Sequence, residues 1–267
     1  MSQPATEITN PTPDSSRNRD QMGGLLKGLR LMECFDAAHA RMTLSQAAVR
    51  AGISPASARR CLLTLCDAGY ARTDGKYFWL GHGALRIAHA YAASTGLPRL
   101  LQPALDALSE KTRESASLSV LDGHAVVIAA RSTARRTLRL GLGVGSHLPL
   151  YCSAAGRVLM AWSPAAEWMP LVSAMPMERL TAHTEVTVAG LTRLLQACRE
   201  TGYATCDEEI ELGVRSIAIP LYKPDGSIAA AMSISTRAER LTTSDMVSQF
   251  LPTMLRSQDW ARSRIAA

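Results

Sequence analysis

Apolar positions fall into two kinds of run along this chain. Leu25, Leu26, Leu29, Met32 and Phe35 recur at helical spacing and predict an amphipathic helix over residues 25–38. Thr43 is placed to cap a short helix over 44–51 that stops at Gly52. Ser54 followed by Pro55 is a second start signal, for a helix that reaches about Ala68 and ends at Gly69. Residues 70–80 are strand formers around Asp74-Gly75, a two-residue hairpin signal. Residues 83–94 are Ala-rich and periodic, a connecting helix that ends near Gly96-Leu97-Pro98, and residues 100–114 form another helical run. From Ser115 the period changes. Residues 118–121 and 126–130 read as strands about Asp122-Gly123, and the extended pattern continues near 139–141. A helix over 188–200, strands over 203–206, 216–221 and 228–235, a turn at Pro224-Asp225-Gly226 and a last helix after Thr242 or Thr243 follow. Hairpins mixed with helices, without repeated βαβ units, predict an α+β fold built on an antiparallel sheet.

The first third carries a more specific spacing. In the stretch beginning at Leu44, Ala48 stands fifth, where two helices would touch, and Gly52 ninth, where a turn needs a left-handed residue. Ala47, Ala51, Ile53, Ala58 and Cys61 supply the apolar interior positions, and Leu62, Leu63 and Leu65 are expected to include the core face. Three helices and a basic hairpin make a winged helix-turn-helix, whose second motif helix would enter a DNA major groove. Ser54, Ala56, Ser57, Arg59 and Arg60 are then the candidate DNA contacts on that helix, with Thr64 a weaker one further along. Arg72 and Lys76 on the wing read as backbone contacts. An arginine can clasp guanine or neutralise phosphate, and spacing does not separate the two.

Charge agrees with that placement. The 267 residues carry a net charge of +6, and residues 17–82 hold 10 basic against 5 acidic side chains. Residues 83–267 are closer to balance, with 19 against 16, so a polyanion partner points to the N-terminal segment. With 47% apolar and 19% charged residues the chain can bury proper cores, and its length suits two domains. The Ser, Thr, Pro and Asn-rich leader has no apolar segment of a signal peptide, and no apolar run would span a bilayer; a cytoplasmic protein with no membrane partner is expected.

Candidate chemistry is sparse. The six cysteines form no C-x-x-C pair and the six histidines no ligand spacing, so neither a metal nor a cofactor is expected. Gly141-Leu-Gly-Val-Gly145 lacks the third glycine of a dinucleotide loop. Cys152 and Ser153 precede a helix, where a nucleophile can be activated, but no base partner is evident and no catalytic residue is assigned.

The winged helix-turn-helix, the segment from Gly145 through Leu-Pro-Leu-Tyr-Cys-Ser-Ala-Ala-Gly-Arg to Ala161, the segment from Gly202 through Asp-Glu-Glu-Ile-Glu-Leu-Gly-Val-Arg-Ser-Ile-Ala to Pro220, and Gly226–Ser235 together resemble the IclR family of bacterial transcription regulators. The likeness covers nearly all of the chain after Gly23. The two central segments look closest to the branch that controls catabolism of aromatic acids such as protocatechuate and 4-hydroxybenzoate. The resemblance implies a disordered leader over 1–22, a DNA-binding domain over 23–82, a linker helix over 83–96, and a GAF-like effector-binding and oligomerisation domain over 97–267. It implies an effector, often a carboxylate, bound at Ala154, Ala155, Cys206, Asp207, Val214, Ser216, Ser233 and Ser235. Small residues at 154–156 let a ligand approach free helix N–H groups, and Ser233 and Ser235 share one face of a strand. Cys206 stands where some relatives carry a carboxylate, and either it or Asp207 would face the pocket. Asp207, Glu208, Glu209 and Glu211 read equally as a solvated loop or as partners of Arg215. Operator duplex DNA, a small carboxylate and a second copy, as homodimer or dimer of dimers, are the expected partners, with RNA polymerase a further candidate. A small-molecule hydrolase or thiol enzyme with an accessory DNA-binding head is the alternative.

Overall fold

The computed structural model describes residues 21–133 and 142–265, apart from the side chains of residues 165–167. The expected leader (save residues 21 and 22) and the extended stretch near 139–141 lie outside the described residues. Two compact units divide between Tyr91 and Ala92.

In the first unit α1 (Gly23–Glu33), β1 (Met42–Thr43), α2 (Leu44–Arg50), α3 (Pro55–Asp67), β2 (Ala71–Thr73) and β3 (Tyr77–Leu80) follow in order, and α4 (Gly83–Ser94) runs across the division. Thr43 closes a full capping box with Gln46, and Ser54 caps α3 ahead of Pro55. Gly52 takes the left-handed conformation (φ 64°) that lets Ile53 N–H reach the Ala48 carbonyl at 3.1 Å, so the two helices turn sharply. Leu31, Met42, Ala47, Ala48, Ala58, Leu62 and Phe78 make the core. The wing is a three-stranded antiparallel sheet in the order β1-β3-β2; β1, two residues long, was not legible as a strand. Its tip is closed by the Asp74 N–H to Tyr77 carbonyl bond, which makes Gly75-Lys76 the central pair of the turn instead of Asp74-Gly75.

Three expectations need correction here. The first helix ends at Glu33, short of residue 38, because the Arg50 guanidinium takes the Cys34 carbonyl (2.9 Å) and pairs with Asp36. Its buried side is that of Leu31, whereas Leu25, Leu26 and Leu29 are exposed in this unit. Leu63 also faces solvent, with Leu62 taking the core position on α3.

The second unit begins with α5 (Gly96–Thr112), so Gly96-Leu97-Pro98 opens a helix; Pro98 sits in the first turn, where no N–H is needed. Then follow β4 (Ser115–Asp122), β5 (Ala125–Ser132), β6 (His147–Pro149), α6 (Ala154–Trp162), α7 (Ala165–Ala174), α8 (Val188–Thr201), β7 (Ala204–Asp207), β8 (Val214–Tyr222), β9 (Ile228–Arg237) and α9 (Thr243–Ile265). The strands pair antiparallel in the order β6-β5-β4-β9-β8-β7. Side chains alternate across this sheet. Ala116, Leu118, Ile217, Ile219, Met232 and Ile234 pack against α5 and α9 on one face, while Val126, Ala218, Ala231 and Cys206 meet α6 and α8 on the other. That second face carries the chemistry.

Candidate effector and DNA sites

At the cap of α3 the Ser54 hydroxyl accepts the Ser57 N–H (3.3 Å) and donates to the Ser57 hydroxyl (3.0 Å), which starts the helix and leaves the Ser57 O–H free to donate. Ala56, Arg59 and Arg60 are exposed beside them, and among the described residues no ion pair engages either guanidinium. Arg72 and Lys76 are exposed on the wing, Lys76 lying 5.2 Å from the Tyr77 ring. The structure thus places every expected DNA contact on α3, at its Ser54 cap, or on the hairpin that follows it. One basic wing residue escaped the sequence reading. Arg41 lies over Trp79 (4.4 Å) and pairs with Asp74 at 2.5 Å, so its charge is already engaged.

In the second unit, antiparallel register lines up two rows beneath the start of α6. Ser115, Ser235, Ser216 and Cys206 stand directly opposite one another across β4, β9, β8 and β7. Arg131, Ser117, Ser233 and Ala218 form the neighbouring row from β5 to β8. Val214 starts the same face of β8, two residues before Ser216. Above them Ala154 and Ala155 are buried at the first two positions of α6, whose Ser153 cap accepts the Gly156 N–H at 3.0 Å. Seven of the eight expected effector residues therefore share one layer. Asp207 does not join them. It lies on the opposite face, accepting from Arg215 Nε (2.5 Å) and from the Thr243 hydroxyl (3.0 Å) at the start of α9. Adjacent strand residues point to opposite faces, so Cys206 inside requires Asp207 outside.

Glu209 also departs from the expected solvated loop. It is buried against Arg157 of α6, which donates to both carboxylate oxygens at 2.6 and 2.5 Å, to the Tyr151 carbonyl at 3.1 Å and to the Thr205 carbonyl at 2.9 Å. Sequence reading also missed Arg131 and the β4 serines. Ser115, Ser117 and Ser119 recur at a strand period that was readable, but nothing in that period says which face they take.

The thiols on this side are packing groups. Cys152 is fully buried and its thiol is pushed up to about 12, by burial first and then by Cys206 and Glu209; burial likewise lifts Cys198 to about 12 and Cys206 to about 11. The Cys206 thiol donates to the Cys152 carbonyl at 2.8 Å. A thiol held neutral in this way is a poor nucleophile. Ellman's reagent at pH 8 will label half-buried Cys61 and then Cys66 in the native protein, and Cys152, Cys198 and Cys206 only as fast as the chain unfolds. The unfolded chain sheds these protons near 9 while the folded chain holds them to about 11–12. Stability is therefore full below 9 and falls as pH rises through that window, which alkaline denaturation will register.

Among the described residues no helix is long and apolar enough to cross a membrane, and no group of three or more His, Cys, Asp or Glu is placed to hold a metal ion. The family pattern described as the IclR helix-turn-helix domain matches residues 24–75, and that described as bacterial transcriptional regulator IclR C-terminal matches residues 89–263. The chain belongs to the IclR family. The Pca regulon regulatory protein of Pseudomonas putida is 34% identical over 256 residues, covering 96% of this chain and 87% of its own. The p-hydroxybenzoate hydroxylase transcriptional activator of Acinetobacter baylyi is 34% identical over 254 residues, 93% of this chain and 94% of its own. Among solved IclR structures, the inducer-binding domain of the Acinetobacter transcription factor PobR, a double mutant in complex with 3-hydroxybenzoic acid, is 28% identical with a TM-score of 0.59 and covers 63% of this chain and 98% of its own. These relatives are named as transcription regulators, and the second name falls in the aromatic-acid branch that the central segments resemble.

Proposed function

We propose that this IclR-family regulator controls a catabolic operon in response to a small, aromatic carboxylate. Residues 23–82 serve as the DNA-binding head, 83–96 as the connection, and 97–267 as the effector-binding and self-associating part. Ser54, Ala56, Ser57, Arg59 and Arg60 face the major groove, and Arg72 and Lys76 meet the phosphates beside it. The effector lies between the start of α6 and the serine rows of the sheet. The observation that carries this reading is the burial of so many hydroxyl side chains on a single sheet face, where an apolar core would be cheaper. The aromatic character rests on the PobR domain complex and on the curated relatives. Two half-sites on a duplex call for at least a homodimer, and work on DNA places the protein in the cytoplasm.

Binding to a duplex from its own promoter region, followed by fluorescence anisotropy across a salt series, tests the head. Arg59→Ala with Arg60→Ala is expected to weaken binding about 10- to 100-fold and, for phosphate contacts, to flatten the log–log salt slope by about 1–2. Salt-dependent binding unchanged in the double variant would overturn the assignment of α3. A thermal-shift screen of small carboxylates tests the other end, because a ligand bound by the native state alone raises its apparent stability. The thiol-enzyme alternative has no such support, given a Cys152 that is buried and held neutral.

A further inference from the structure

Arg131 is the odd residue of the serine face. Its guanidinium is half-buried at the end of β5, and burial pulls its pKa below the ordinary arginine value. Among the described residues its side chain has a single hydrogen-bond partner, the Ser117 hydroxyl at 3.1 Å, and no carboxylate lies within ion-pair distance. A cation held this way costs free energy that only an anion recovers in full. Arginine presents five donors in a planar fork, which matches a carboxylate on two bonds at once.

Two further groups point the same way. Ser115 and Ser119 are 2% and 1% exposed, and among the described residues neither hydroxyl has a hydrogen-bond partner. They flank Ser117 on the same side of β4, each two residues away, or roughly 7 Å along the strand. An unpaired buried hydroxyl is itself costly, so both are poised for a neutral polar group. The start of α6 also favours anions, but with about half a unit of charge against the full charge of Arg131.

We infer that Arg131, steadied by Ser117, anchors the effector's carboxylate, and that Ser115 and Ser119 select effectors that also carry a hydroxyl. This rests on the effector reading above and deepens it. Arg131 supplies charge and direction, and the β4 serines supply discrimination among acids of similar size. Ser233, Ser235 and Ser216 then form the floor beside that anchor.

The test uses calorimetric titration of the full-length protein with 4-hydroxybenzoate, 3-hydroxybenzoate, benzoate and uncharged 4-hydroxybenzamide, with pyruvate and succinate as aliphatic acids. Arg131→Gln is expected to weaken the best-bound acid about 30-fold or more and to leave the amide within about 2-fold. Arg131→Lys, which keeps the charge and loses the fork, falls between. Ser115→Ala with Ser119→Ala is expected to bring the preference for hydroxybenzoate over benzoate down to about 1. Ser117→Ala, a small change beside an intact Arg131, covers the case in which Arg131→Gln fails to fold; it should weaken the acids several-fold and spare the amide. Equal losses for acid and amide, or wild-type acid affinity in Arg131→Gln, would overturn the anchor while leaving the effector site standing. A wild-type protein that binds none of the acids sinks the effector reading, and the anchor with it.

Discussion

Replacing Arg157 with Met will lower the unfolding free energy of the second unit by about 3–5 kcal/mol, because Glu209 is left charged and alone inside. For a unit of this size that is a fall in midpoint temperature on the order of 10 °C, measurable by urea or thermal denaturation followed by circular dichroism. The pair is bidentate, and Arg157 is the largest side chain in the fully buried set. It ties α6 to three other pieces at once. Its guanidinium also holds the Tyr151 and Thr205 carbonyls, while Glu209 accepts the Glu185 N–H and its own carbonyl takes the Thr184 hydroxyl. Replacing both members, Arg157→Met with Glu209→Met, should recover much of the loss, since desolvating two charges repays little when apolar groups of similar volume can fill the space. A double variant as unstable as the single one would mean that the backbone carbonyls, and not the ion pair, are what Arg157 chiefly serves.

Gly156→Ala is expected to cost about 3 kcal/mol, at the upper end for overpacking. A methyl group there would lie 2.7 Å from the Leu150 Cα and closer still to the Leu150 carbonyl oxygen, both backbone atoms that cannot step aside. The strand-to-helix turn must open to admit it, and that turn carries Ala154 and Ala155. The variant should therefore lose effector response along with stability, whereas DNA binding by the separate head persists when assayed at low temperature. Effector affinity unchanged in a destabilised Gly156→Ala protein would detach the start of α6 from the ligand.

The parts of this molecule that were legible in its sequence are those in which a residue answers to near neighbours. Thr43 and Ser54 announce their helices because a cap needs only the next three residues, and Gly52 and Gly75 announce turns because only glycine takes those angles cheaply. Arg50 ends α1 from 16 residues away, and the Glu209 partner of Arg157 lies 52 residues along the chain. No local pattern encodes such pairs. The layer beneath α6 shows the same division. Ser233 and Ser235 were assigned to one strand face from their spacing, whereas Ala154 and Ala155 came from the family resemblance, with which their small size agrees. That β4 lies beside β9, bringing Ser115 and Ser117 against Ser235 and Ser233 with Arg131 at the end of the row, follows from strand order and register. That Cys206 lies under α6 and Asp207 beside Thr243 likewise follows from register and from contacts distant in sequence.

The serine floor has a consequence for how such a sensor changes its chemistry. A floor of Ser and Ala on the inner strands of a six-stranded sheet, each paired on both sides, keeps its backbone rigid while most side chains stay near the smallest available. Adding one or two methyl groups at a chosen strand position shortens the compartment there and leaves the hydrogen-bonded ladder untouched. Recognition of a new inducer is then a matter of single-residue trimming, with the machinery that reads the operator carried in a separate unit and left alone.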